Sequence, residues 1–120
     1  MSGKGISHNL VRIPRLLSTG QESIYDLLKQ SGYFEQHDQV DESGLREALS
    51  RHPEYIDEWI SYSEDKRTDS GWYIKQEGNC VTVGYFQRGH TKNRDASYAD
   101  LTDACAAFIR RELEDIRSGS

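Results

Sequence analysis

"GWYIKQEGNCVTVGYFQRG", residues 71–89, decides how the rest of the chain is read. Trp72, Tyr73 and Ile74 open one arm, and Val81, Thr82, Val83, Tyr85 and Phe86 make the other. Between them Glu77, Gly78 and Asn79 supply a turn. β-branched and aromatic residues on both sides of a Gly-Asn step predict a β-hairpin. Successive side chains alternate along a strand, so Val81, Val83 and Tyr85 share one face, and Thr82 and Phe86 share the other. A two-stranded ribbon is marginal in water, so another element must cover one face.

The flanking segments read as helices suited to that role. Over about 21–31, Ile24, Leu27 and Leu28 recur at i, i+3, i+4. Glu22 stands in the first turn and Gly32 is placed to end the helix, with Tyr33 and Phe34 adding apolar bulk beyond it. A second helix over about 42–51 has Asp41 as N-cap, Val40 and Leu45 as a hydrophobic staple, and Leu45, Ala48 and Leu49 as its stripe. A third begins at Pro53 and runs to about Glu64. Ile56, Trp59, Ile60 and Ser63 line one side, and Glu54, Asp57, Glu58, Ser61 and Asp65 the other. After the hairpin comes a polar loop, then a short third strand around Ala96–Tyr98, then a helix over about 100–117. Ser97 and Asp100 have capping-box spacing. Leu101, Cys105, Phe108, Glu112 and Ile116 trace one line of that helix, flanked by Ala104, Ile109 and Leu113, with Glu112 at the edge of the apolar face. Residues 1–20 read as a flexible or extended arm, Gly- and Ser-rich and loose at first, then apolar around Ile13, Leu16 and Leu17; Pro14 interrupts any amphipathic helix there. The expected fold is α+β: three N-terminal helices, a small antiparallel sheet built on the hairpin, and a C-terminal helix packed on the sheet. Residues 21–120 form one domain on this reading.

Net charge is −5, but it is unevenly spread. Residues 1–20 hold three bases and no acid; residues 21–70 hold thirteen acids and five bases; residues 71–120 hold seven of each. Acidity concentrated in the helical part argues against nucleic acid as a direct partner, since phosphate binding needs a basic face. It suits a basic protein partner. Cys80 and Cys105 lack metal-ligand spacing; two buried free thiols is the plainer reading, a disulfide between them the other. No apolar run is long enough to span a membrane, and "LVRIPRLL" is broken by Arg12, Pro14 and Arg15, so a cytoplasmic location is expected.

Catalytic signals are weak. His8, His37, His52 and His90 match no metal motif. Arg88, His90, Lys92 and Arg94 form a basic loop that could bind anions or use His90 as a general base; the plainer reading is a solvated connection. Cys105 sits among Ala104, Phe108 and Ile109, which suits packing rather than nucleophilic work. No catalytic, cofactor or metal site is assigned. The acidic stripe of Glu54, Asp57, Glu58, Glu64, Asp65 and Asp69, with Tyr55 and Tyr62 at its margins, is either a solvated helix face or a docking surface.

Three stretches carry a resemblance: "SEDKRTDSGWYI" (63–74), "VGYFQRG" (83–89) and "ADLTDACAAFIRRELEDI" (99–116). Together they resemble the small immunity proteins of bacterial contact-dependent growth inhibition. Gly71-Trp72, Tyr85, Arg88-Gly89 and Ala104–Phe108 are the matching positions, within residues 60–117. The resemblance implies a non-enzymatic cytosolic inhibitor that binds one cognate toxin domain, often a nuclease, and occludes its active site. It implies no cofactor and lends no contact residue. The docking set expected from the charge pattern is Glu54, Asp57, Glu58, Tyr62, Glu64, Asp65 and Asp69. Two other classes remain: a small adaptor or regulatory module, and a small hydrolase or nuclease using the His90 loop.

Overall fold

The computed structural model describes residues 2–20, 23–65, 70–87 and 94–118. Strands β1 (Ser70–Glu77) and β2 (Cys80–Gln87) pair antiparallel, with Glu77 opposite Cys80 across Gly78-Asn79. Gly78 has φ +59°. A positive φ at the first of two central positions is what a type II′ turn needs, and glycine adopts it without a Cβ clash. A third strand, β3 (Arg94–Tyr98), pairs antiparallel with β2, giving the order β1-β2-β3.

Alternation along the strands then separates two faces. Ile74, Val81 and Val83 are buried on the inner one. Trp72 lies opposite Tyr85, in edge contact at 5.3 Å between centroids. The same alternation turns Cys80 outward, so one of the two thiols expected to be buried is exposed; both are free.

Helix α7 (Leu101–Ser118) packs across the inner face, burying Ala104, Cys105, Phe108, Ile109 and Leu113. Its start is capped by Asp100, whose Oδ1 accepts the Thr102 N–H at 2.8 Å. The capping-box role expected of Ser97 is not filled, because Ser97 lies within β3 opposite Thr82.

Six further α-helices and a 3-10 turn precede β1 among the described residues. Helix α3 (Ile24–Ser31) begins at Ser23, whose Oγ accepts the Asp26 N–H, and stops at Gly32 with φ +91°. Gly32 also starts the short α4 (Tyr33–Gln36), followed by the 3-10 turn His37–Gln39. Helix α5 (Glu42–Arg51) has Asp41 as N-cap, accepting the Gly44 N–H at 2.8 Å. Helix α6 (Glu54–Asp65) follows Pro53 and buries Tyr55, Ile56 and Trp59. Its Ser63 hydroxyl accepts the Ile74 N–H at 3.0 Å and donates to the Ile74 carbonyl at 3.4 Å. That contact satisfies outward backbone groups on the β1 edge, which would otherwise be open to strand pairing.

The first twenty residues depart from the arm expected there. They contain two helices, α1 (Ser2–Val11) and α2 (Ile13–Thr19). The helix does break beside Pro14, α1 stopping at Val11, but Pro14 itself stands in the first turn of α2, where a missing N–H costs nothing. Leu10, Val11 and Ile13 are buried in the same core as Trp59 and Phe108. Trp59 Nε1–H donates to the Val11 carbonyl at 3.0 Å, fastening this segment to α6. Helix α1 lies close against α5 at Gly44, where an added Cβ would come 2.9 Å from the Ser7 Oγ.

Candidate functional site

Helix α6 carries Glu54, Asp57, Glu58, Glu64 and Asp65 and no base. Its apolar side must face the core, and the helical period then sends positions 54, 57, 61 and 64 to the opposite side. Glu54, Asp57, Ser61 and Glu64 are exposed there. Glu54 and Asp57 suit the positive end of the helix dipole. Glu64 and Asp65 sit in the last turn without a basic residue. An acid there opposes the dipole, at about 0.3–1 kcal/mol each at low salt. Helix stability therefore does not account for the whole acidic face.

The structure divides the expected docking set. Glu54, Asp57 and Glu64 share the open face. Glu58 does not belong to it: its Oε2 accepts from Arg15 Nε at 3.1 Å and Nη2 at 2.6 Å, closing the seam between α2 and α6. The same guanidinium lies 4.8 Å from the Tyr55 ring centroid, and Tyr55 is buried, so it offers no anchor at the stripe's margin. Asp65 ends α6. Asp69 falls outside the described residues, as do Arg88, His90 and Lys92 of the basic loop, whereas Arg94 opens β3.

Tyr62 is an inward residue. Its ring meets Trp59 at 5.3 Å and Phe108 at 6.5 Å, edge-on in both cases. Its hydroxyl donates to Glu112 Oε2 at 2.6 Å. Glu112 is 3% exposed, so it lies inside the apolar face of α7 and not at its edge. Burial and the adjacent carboxylate push the Tyr62 phenol well above its ordinary range, keeping it a proton donor. Tyr62→Phe removes that donor from a buried carboxylate and should cost about 1–3 kcal/mol in urea unfolding at neutral pH. Changing Glu112 to Leu in the same background should return part of the loss. An unchanged midpoint in the single variant would contradict the pairing.

A concavity of about 450 Å³ opens where α4, the 3-10 turn, β1 and α7 meet. Its lining includes Asp38, Trp72, Arg110 and Arg111. At its rim Tyr33 Oη donates to Glu114 Oε1 at 2.7 Å, and Arg117 pairs with the same carboxylate. The Arg117 hydrogen bond, opposed in part by burial and aided by Tyr33, lowers the Glu114 pKa to about 2. A carboxyl lowered on folding stabilises the fold above its unfolded value, the ordinary 4.5, and loses that contribution as pH falls toward about 2. The pair is partly exposed, which limits the effect to about 1 kcal/mol or less. Glu114→Gln should flatten this part of the acid-unfolding curve between those pH values while leaving the curve's shape at neutral pH intact. An identical acid limb in wild type and variant would contradict it.

His8 and His52 lie with ring centroids 5.2 Å apart, and His52 Nδ1 is 3.5 Å from Glu54 Oε2. Among the described residues no group of three His, Cys, Asp or Glu side chains is arranged to hold a metal ion. Burial pushes the Cys105 thiol up, away from thiolate chemistry. Among the described residues no helix is long and apolar enough to cross a membrane.

No family model, curated protein or solved structure matches the chain.

Proposed function

We propose that the protein is an immunity protein, a non-enzymatic inhibitor that neutralises a cognate bacterial toxin domain with a basic active-site cleft, most simply a nuclease. The observation that carries this reading is the open face of α6, where Glu54, Asp57 and Glu64 stand on one rigid surface without a base on the helix. Carboxylates in a row present to a nuclease the sign of charge that its polynucleotide substrate presents. They also speed encounter with a basic surface, which matters for an inhibitor that must reach an incoming toxin early. The resemblance over residues 60–117 points to the same class of protein. On this reading it acts in the cytoplasm as one half of a heterodimer.

The test is competition. A catalytically inactive form of the toxin domain encoded immediately upstream should bind either this protein or its polynucleotide substrate, but not both. Simultaneous binding of the two would defeat occlusion. The absence of a toxin gene upstream would count against the whole reading.

A further inference from the structure

The cleft between α7 and the 3-10 turn holds opposite charges that do not meet. Arg110 makes no ion pair among the described residues, and Arg111 has only neutral partners there. Its guanidinium carbon lies 5.5 Å from the Trp72 ring centroid, and its Nη1 donates to the Tyr98 hydroxyl at 3.5 Å. Asp38, in the 3-10 turn, is exposed and makes no hydrogen bond or ion pair among the described residues. Glu114 cannot serve as the counter-charge, because Tyr33 and Arg117 already occupy it. Asp115 also lines the cleft and has an interaction of its own.

Arg110 and Arg111 stand on α7, Asp38 stands across from them on the 3-10 turn, and a cavity of about 450 Å³ lies at their junction. That volume is within the range of about 300–1,000 Å³ that holds small molecules. Trp72 supplies an apolar wall. A guanidinium has five N–H donors in one plane, so Arg111 can stay over Trp72 and still offer an edge to a carboxylate.

We propose that this cleft binds a small zwitterion of the α-amino acid class, its carboxylate on Arg110 and Arg111, its ammonium on Asp38 and its apolar side chain against Trp72. The inference stands apart from the docking role of α6 and does not depend on it.

The two tryptophans make the test local, because Trp72 lines the cleft and Trp59 is fully buried elsewhere in the core. Indole N–H resonances of the ¹⁵N-labelled protein are followed while a pool of the twenty standard amino acids is added, then L-phenylalanine alone. In parallel arms, 3-phenylpropionate lacks the ammonium and phenethylamine lacks the carboxylate. The Trp72 signal should move saturably with the amino acids while Trp59 stays still, and each analogue should bind at least about tenfold more weakly, the loss of one charge-assisted contact. Asp38→Asn and Arg110→Gln, both at exposed positions, should each weaken binding by a similar factor with an unchanged circular dichroism spectrum. No Trp72 response to the pool at about 10 mM, a range that would detect even millimolar binding, would overturn the proposal. So would analogues that bind as well as phenylalanine, or variants that bind as well as wild type.

Discussion

Trp59→Ala should lower the stability of the protein by about 3–5 kcal/mol, the usual cost of emptying a large aromatic site. A domain of this size has only about 5–15 kcal/mol in total, so the variant stands near the edge of folding. Trp59 is fully buried and edge-on to Tyr62 and Phe108, which ties α6 to α7. Its indole N–H is also the donor that satisfies the Val11 carbonyl, which ties α6 to the N-terminal helices. The substitution therefore opens a cavity and takes a hydrogen-bond partner from a buried carbonyl at once. Trp59→Phe separates the two effects: it keeps most of the ring contacts and loses the donor, at about 1–3 kcal/mol. Hydrogen exchange should then show α1 and α2 losing protection before α7. A midpoint within experimental error of wild type for Trp59→Ala would mean that the N-terminal helices are not docked as described.

The second large effect concerns binding. Replacing Glu54, Asp57 and Glu64 with Lys should weaken the complex with the toxin domain by about 3 kcal/mol or more, roughly a hundredfold, if these carboxylates meet basic groups in a desolvated interface. The association rate should fall as well, and its salt dependence should reverse sign. All three side chains are exposed, so stability in the absence of toxin should change only by the helix-dipole effects, a loss at positions 54 and 57 partly offset by a gain at 64, each about 0.3–1 kcal/mol. Glu58 is left alone because Arg15 holds it in the α2–α6 seam, and its loss would confuse folding with binding. Asp26, Glu35 and Glu42, on α3, α4 and α5, give a control of equal charge change away from the face. An equal loss in both triple variants would reduce the effect to net charge. No loss in either would move the interface to another surface.

Features written in neighbouring residues were legible before the structure. Gly78-Asn79 between β-branched arms specified the hairpin turn, and Gly32 specified the end of α3 through a left-handed conformation. Asp41 with the Leu45, Ala48, Leu49 stripe placed α5 at Glu42–Arg51. Features that depend on distant partners were not legible. The apolar residues of α1 and α2 (Leu10, Val11, Ile13, Leu16, Leu17) form no long helical stripe, and what they pack on, Trp59 among it, lies far along the chain. Arg15 and Glu58 are 43 residues apart, and no local period links them. Tyr62 and Glu112 are 50 residues apart, and that pairing, together with the spacing of three from Trp59, turns Tyr62 inward and away from the acidic margin. The acidic face itself could be read from helical periodicity alone. Which of its members remain open could not, since that required knowing what α2 and α7 place beside α6.

The most direct measurement is the activity of the toxin domain encoded upstream, titrated with this protein at physiological salt. Activity should disappear at one equivalent, and the α6 triple Lys variant should fail to abolish it at the same ratio. Full toxin activity in the presence of a large excess of folded wild-type protein would contradict the account.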